Sequence, residues 1–179
     1  MIPEEYFQIN NLIPLDYSFF QRDVLEVAPD LLGKNIIIQI GNQILSCVIT
    51  EVEAYRGEED KACHASKGRT SRTDIMYRSG GHIYVYLIYG MYWMFNIVAG
   101  NIDVPQAVLI RGIEGFKGPG KLTKHLGIDG TFNKENICTS NRIRIADAGK
   151  LIKIEKGPRI GIDYAGDPWV RIPWRYKSV

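Results

Sequence analysis

The sequence predicts a mixed α+β fold: one domain over residues 1–179, with a curved, mostly antiparallel β-sheet flanked by helices and a protruding β-hairpin. Three observations lead there. Two apolar, strand-like stretches each fold back on a turn, the first at Gly41-Asn42 and the second near Tyr89-Gly90-Met91. Between residues 18 and 33 the apolar positions recur at helical spacing instead. The chain has no internal repeat, low-complexity tract or linker, and 179 residues can bury a real core.

Taken in order, Ser18-Phe19-Phe20-Gln21 reads as a capping box opening a helix. Phe20, Val24, Val27 and Leu31 line one face, Pro29 kinks or divides the element, and Gly33 ends it. Asn35–Ile40 and Gln43–Tyr55 read as paired strands. Residues 56–82 form a polar loop longer than a mere connector, the kind that often carries function. His82–Ala99 is the second hairpin, and Ala107–Ile113 is an apolar strand interrupted only by Arg111. Leu122–Leu126 is a short helix ended by Gly127. Strands at Arg142–Ile145, Leu151–Ile154 and Arg159–Ile162 complete the sheet.

Composition narrows the classes. The hydrophobic share is 45% and the charged share 23%, ordinary for a soluble globular protein. The apolar stretch from Tyr84 to Val98 is broken by Gly90 and Asn96, so no membrane span is expected. Glu4 and Glu5 stand where a signal peptide would carry basic residues. Cys47, Cys63 and Cys138 are widely spaced and include no CxxC pair. That argues against a disulfide scaffold or structural zinc and fits a reducing, cytoplasmic compartment. The net charge of +2 names no partner, but residues 61–125 hold nine basic against three acidic side chains. A basic stretch wrapped around aromatics suggests a polyanion, while a solvated lysine-rich surface accounts for the charge equally well.

Strand alternation puts Glu51, Glu53 and Tyr55 on one face and Val52 and Ala54 on the other. The apolar pair packs on the core and the acidic pair faces solvent or a cleft. Tyr84 and Tyr86 likewise share a face. Tyr89, beside Gly90 at a tight tip, is hard to explain as core and resembles the wedge that minor-groove proteins push between base steps. Gly115-Phe116-Lys117-Gly118-Pro119-Gly120-Lys121 fits GxxxxGK, but Leu122 replaces the magnesium-binding hydroxyl and Pro119 lacks an N–H. A turn whose Lys121 meets a nucleic-acid phosphate fits better. No zinc-deaminase signature and no Gly-x-Ser-x-Gly elbow is present.

In one order along the chain stand Glu51-Val52-Glu53-Ala54-Tyr55, Gly57-Glu58-Glu59-Asp60, Ala62-Cys63-His64 and Gly68-Arg69-Thr70. They are followed by the Tyr84–Asn96 block, Val108-Leu109-Ile110-Arg111 and Gly118-Pro119-Gly120-Lys121-Leu122. This series, with Arg159-Ile160-Gly161 and Trp174-Arg175 after it, closely resembles the alkyladenine (3-methyladenine) DNA glycosylase family, in a compact bacterial-type form. The resemblance implies a monofunctional base-excision repair enzyme without metal or organic cofactor. Its expected partner is double-stranded DNA containing damaged purines, and its expected state is a nucleoid-associated monomer. By position it implies Glu53 as the general base and Arg111 as a contact near the flipped nucleotide's phosphate and the attacking water. Tyr55 and Tyr86 match the rings that sandwich the base, while His64, Asn96 and Leu109 line the pocket. Tyr89 fills the gap in the duplex, and Arg69, Arg72, Met91 and Lys121 meet the DNA backbone. A non-catalytic nucleic-acid-binding module using the same basic and aromatic surface is the alternative, and an ATP- or GTP-binding protein a third reading.

Overall fold

The computed structural model describes residues 1–179. In chain order it contains α1 (Glu4–Ile9), β1 (Ile13–Pro14), α2 (Tyr17–Phe20), α3 (Val24–Leu31), β2 (Asn35–Ile40) and β3 (Gln43–Arg56). Then come β4 (Ile83–Ile88), β5 (Tyr92–Ala99), β6 (Gln106–Ile113), β7 (Phe116–Lys117), α4 (Pro119–His125), β8 (Ile143–Asp147), β9 (Ile154–Gly157) and β10 (Arg175–Ser178). The ten strands form one open sheet in which every pairing is antiparallel. Its main path runs β1-β8-β2-β3-β6-β5-β4.

β3 organises the molecule. Its first half pairs with β2, up to Asn35 opposite Val48, and its second half pairs with β6, from Ile49 opposite Ile113 to Arg56 opposite Gln106. Register shifts between Ile49 and Val52 mark the change of partner, and bulges of this kind bend a strand and sharpen its twist. Past the bulge, β10 takes the other side of β3 and sets Arg175 opposite Glu53.

The register then fixes one row of residues across the sheet. Arg175 lies opposite Glu53, Glu53 opposite Leu109, Leu109 opposite Asn96, and Asn96 opposite Tyr84. Directly opposed residues project to the same face, and residues two positions along join them. Tyr55, Tyr86, Met94 and Arg111 therefore belong to that face as well. The opposite face carries Val52, Ala54, Ile83, Val85, Phe95, Ile97, Val108 and Ile110, packed with Val24, Val27 and Leu31 of α3 and Leu122 and Leu126 of α4. A second cluster (Cys63, Ala65, Ile75, Met76, Tyr77, Tyr84, Val98 and Ala107) lies beneath the row on the site face. The 56–82 segment, with 3-10 turns at His64–Lys67 and Asp74–Tyr77, covers that face.

Several expectations are corrected. The helix does not open on a Ser18 capping box. Asp16 caps α2 by accepting the Phe19 N–H, and Asp23 caps α3 by accepting the Leu25 N–H. The division therefore falls before Val24, where Asp23 competes for the backbone, and Pro29 sits inside α3. The helix placed at Leu122–Leu126 begins earlier, at Pro119, whose missing N–H suits a first helical turn. The late strands also move. Arg142–Ile145 becomes β8, and Leu151–Ile154 gives way to β9 at Ile154–Gly157, Leu151 being fully exposed. Arg159–Ile162 is no strand, because Arg159 turns inward to a charged partner rather than joining a ladder. β10, with its polar Arg175-Tyr176-Lys177-Ser178 pattern, was unforeseen.

Candidate active site

The row of strand residues floors a cavity of about 570 Å³. Tyr55, His64, Arg72, Tyr84, Tyr86, Tyr89, Asn96, Leu109 and Arg111 line it, and Ile160 to Tyr164 close its far side. Of the residues expected from sequence, eight thus meet at one cavity: Tyr55, His64, Arg72, Tyr86, Tyr89, Asn96, Leu109 and Arg111. Glu53 is not in the lining. It is fully buried immediately behind the wall, against Tyr55, Arg111 and Ile160.

The acidic pair on β3 was expected to face solvent or a cleft, and here the structure differs. Glu53 Oε1 accepts the Ile160 N–H at 2.8 Å, and Oε2 accepts the Tyr55 hydroxyl at 2.9 Å with Arg111 Nη1 at 3.4 Å. Glu51 accepts from Arg175 Nη1 at 3.0 Å and lies 3.6 Å from Arg111 Nε. Two of these four partners, Arg175 and Ile160, come from β10 and the 158–162 connection, which lie more than one hundred residues away in sequence. Burial drives the Glu53 carboxyl above its ordinary range, with Arg111, the Ile160 N–H and the Tyr55 hydroxyl each pulling it back.

A second polar chain runs along the opposite wall. Arg72 Nε donates to the Tyr84 oxygen at 3.3 Å, and that hydroxyl lies 2.9 Å from His64 Nδ1. Every group in the chain is satisfied when the Tyr84 O–H donates to Nδ1, which leaves His64 Nε2–H as a free donor. Desolvation, with Arg72 and Lys67 adding repulsion, lowers the imidazole to about 4, so the ring is neutral at physiological pH. His64 packs against Tyr86 with centroids 4.6 Å apart, and Tyr84 lies 5.1 Å from Tyr86. Asn96 donates its amide hydrogens to the Tyr84 and Met94 carbonyls at 3.0 and 3.2 Å. Its carboxamide is thereby a fixed feature of the wall.

At the mouth, Tyr89 is 85% exposed at φ +52° and Met91 is also exposed. A non-glycine residue in that region costs roughly 1–2 kcal/mol, a strain that clusters at functional tips. Gly120 lets α4 approach the tip end of the hairpin: a Cβ there would stand 2.5 Å from the Tyr92 ring. Lys121 is exposed on the first turn of α4, next to Pro119 of the cavity rim. Arg69 stands apart, paired with Asp74 at 2.8 Å and Asp103 at 3.0 Å. His82 closes a turn, its Nδ1 2.8 Å from the Ser79 carbonyl. Gly115-to-Lys121 forms β7 and the start of α4, with Lys117 paired to Gly112 of β6, rather than an open phosphate loop. No three His, Cys, Asp or Glu side chains are grouped to hold a metal, all three cysteines are free, and no helix is long and apolar enough to cross a membrane.

Sequence reasoning gave no role to Asp60, Arg159, Ile160, Tyr164 or Arg175. Asp60, Arg159, Ile160 and Arg175 stand inside the motifs that carry the family resemblance, so their positions were marked but their contacts were not. Tyr164, whose hydroxyl donates to the Ala62 carbonyl at 2.9 Å, left no signal.

Comparison with known proteins points one way. The family model for methylpurine-DNA glycosylase matches residues 18–117 and 114–178. A protein of Methanocella arvoryzae is 43% identical over 182 residues, covering 90% of this chain and 90% of its own. One of Rickettsia rickettsii is 42% identical over 175 residues, covering 94% and 91%. One of Natranaerobius thermophilus is 40% identical over 186 residues, covering 90% and 93%. Each of the three carries the name "Putative 3-methyladenine DNA glycosylase".

Proposed function

This chain belongs to the methylpurine-DNA glycosylase family, which makes it a hydrolase of N-glycosidic bonds in DNA, and we propose that it excises alkylated or deaminated purines from duplex DNA. Its bases are of the 3-methyladenine, hypoxanthine and ethenoadenine class, and the product is an abasic site. The observation that carries this reading is one cross-strand row in which Leu109, Asn96 and Tyr84 line a cavity walled by flat rings and Glu53, next in the row, lies buried directly behind that wall.

A base must leave the duplex to be reached. Tyr89, exposed and preset at the hairpin tip, takes the vacated space, with Arg69, Arg72, Met91 and Lys121 on the backbone. The extruded purine enters between Tyr55 and Tyr86. Neutral His64 donates from Nε2 to an acceptor on the purine edge, such as the O6 of hypoxanthine. Asn96, fixed by two carbonyls, discourages guanine by crowding its exocyclic 2-amino group.

Glu53 activates the water. A carboxylate has about four acceptor sites, and three are taken by Ile160, Tyr55 and Arg111. The fourth accepts a proton from the water as its oxygen bonds to C1′ and the purine leaves with the electrons of the broken bond. Water reaches the carboxylate when Arg111, already long at 3.4 Å, and the Tyr55 hydroxyl part. The same negative charge stabilises the positive charge developing on the sugar. The protein acts as a cytoplasmic monomer.

The deciding experiment incubates the protein with duplexes containing hypoxanthine or an alkylated purine, then cleaves abasic sites with alkali. Strand breaks at the lesion are expected. Salt-sensitive binding without base release would instead identify a non-catalytic DNA-binding module.

A further inference from the structure

Arg159 and Asp60 are a pair of charges with fully shielded side chains that no step above uses. Arg159 Nη1 and Nη2 donate to the two oxygens of Asp60, and Nη1 also donates to the Ala54 carbonyl at 3.0 Å. Asp60 further accepts the Arg56 and Ala62 N–H groups, each at 3.0 Å. The Arg159 guanidinium carbon lies 4.8 Å from the centroid of Tyr55 and 5.1 Å from that of Trp174. The next residue along the chain, Ile160, supplies the N–H on Glu53 Oε1. Apart from Trp174, these contacts end on elements that build the cavity wall or back it: the strand bearing Glu53, the loop leading to His64, the Tyr55 ring and the Ile160 amide.

Stability alone explains the pair poorly. Desolvating two charges offsets most of their attraction, and well-packed apolar residues of the same volume often serve as well. We propose that Arg159 and Asp60 are positioning residues for base excision. The pair anchors the 158–162 connection so that the Ile160 N–H engages one Glu53 oxygen, turning the other toward the Tyr55–Arg111 side where water enters. It also fixes the Tyr55 ring from behind. This rests on the reading of Glu53 as the general base.

The acid limb of the pH–rate profile reports on Glu53. Glu51 and Tyr55 face that group from its own strand, Arg111 from β6 and Arg175 from β10. Arg159 faces it from the 158–162 connection with Asp60 behind, and Tyr86 and Tyr164 lie nearby. Arg159 holds the carboxyl down against burial. Its loss moves the acid limb to higher pH, and leaving its charge unneutralised moves the limb to lower pH.

The test compares wild type, Asp60→Asn and the double variant Arg159→Met/Asp60→Leu, which removes the pair without stranding a charge. Single-turnover release of hypoxanthine, affinity for the lesion duplex and thermal melting are measured across pH. The double variant strands no charge but leaves the Arg56 and Ala62 N–H groups and the Ala54 carbonyl without these partners, so it is expected to fold with a lowered melting temperature and still to bind the lesion duplex. It should excise on the order of tenfold or more slowly, as displaced catalytic groups do, with the acid limb raised. Asp60→Asn should move that limb down. A folded double variant with wild-type rate and limb overturns the proposal. If the double variant does not fold, an unmoved limb in Asp60→Asn overturns it. Wild-type protein that releases no purine would instead sink the reading of Glu53 as base, and the positioning role with it.

Discussion

The wall behind Glu53 and the tip of the β4–β5 hairpin are built on opposite principles. At the wall, Glu51, Glu53 and Asp60 are matched by Arg111, Arg159 and Arg175, and all six are drawn from four separate chain segments. At the tip, Leu87, Tyr89, Met91 and Tyr92 carry exposed apolar surface, and only Tyr92 rests against another element, at Gly120 of α4. The wall is over-determined: Glu53 is held by three partners before any substrate arrives. The tip leaves apolar surface exposed and holds Tyr89 at φ +52°. Chemistry needs the first kind of region, and opening a duplex needs the second.

This contrast breaks most visibly at Glu53. Glu53→Gln keeps the shape of the wall but removes the base, and base release is expected to fall about 10²–10⁴-fold. Lesion-duplex affinity should hardly change, which gel-shift titration beside single-turnover assays will test. Comparable losses in affinity and rate would mean that the wall binds rather than reacts. Arg111→Gln should come next, at roughly 10²-fold in rate, because it strips a cation from both Glu51 and Glu53. Burial already raises the Glu53 carboxyl, so this loss raises it further. With the carboxylate as the proposed active form, release should then fail at a higher pH on the acid side than in wild type. His64, near 4, stays neutral over that window and adds no limb above about pH 5.

At the tip, Tyr89→Ala should weaken lesion-duplex binding by about 1–3 kcal/mol, the usual worth of one base–aromatic stack. Melting temperature should be unaffected. The sharpest discrimination is also the smallest effect. Tyr89→Gly should lose the same binding yet stabilise the free protein by about 1 kcal/mol, since glycine accepts φ +52° without strain. Calorimetry reads this directly, and a destabilised glycine variant would show that the tyrosine packs in the free protein after all.

How far the sequence reaches is clearest from particular residues. Period-two alternation alone grouped Glu51, Glu53 and Tyr55, and it grouped Tyr84 with Tyr86; Gly41-Asn42 and Tyr89-Gly90-Met91 marked both hairpin turns. These are local properties, set by the pleat and by which residues tolerate positive φ. The Asp16 and Asp23 caps were missed because several polar residues competed for one role within a few positions. The burial of Glu53 had no local signature at all. It follows from β10 pairing beside β3, from the Ile160 amide arriving across the sheet, and from Arg159 choosing Asp60, ninety-nine residues away.

The sequence by itself therefore determined which side chains share a face, where the chain turns, and that a carboxylate accompanies a set of tyrosines. Only the tertiary structure decided that the carboxylate lies behind the cavity wall rather than in an open cleft, and which arginine faces which acid. The physical reason is that strand alternation is written in neighbouring residues, whereas burial and charge pairing depend on segments that meet only in the folded sheet.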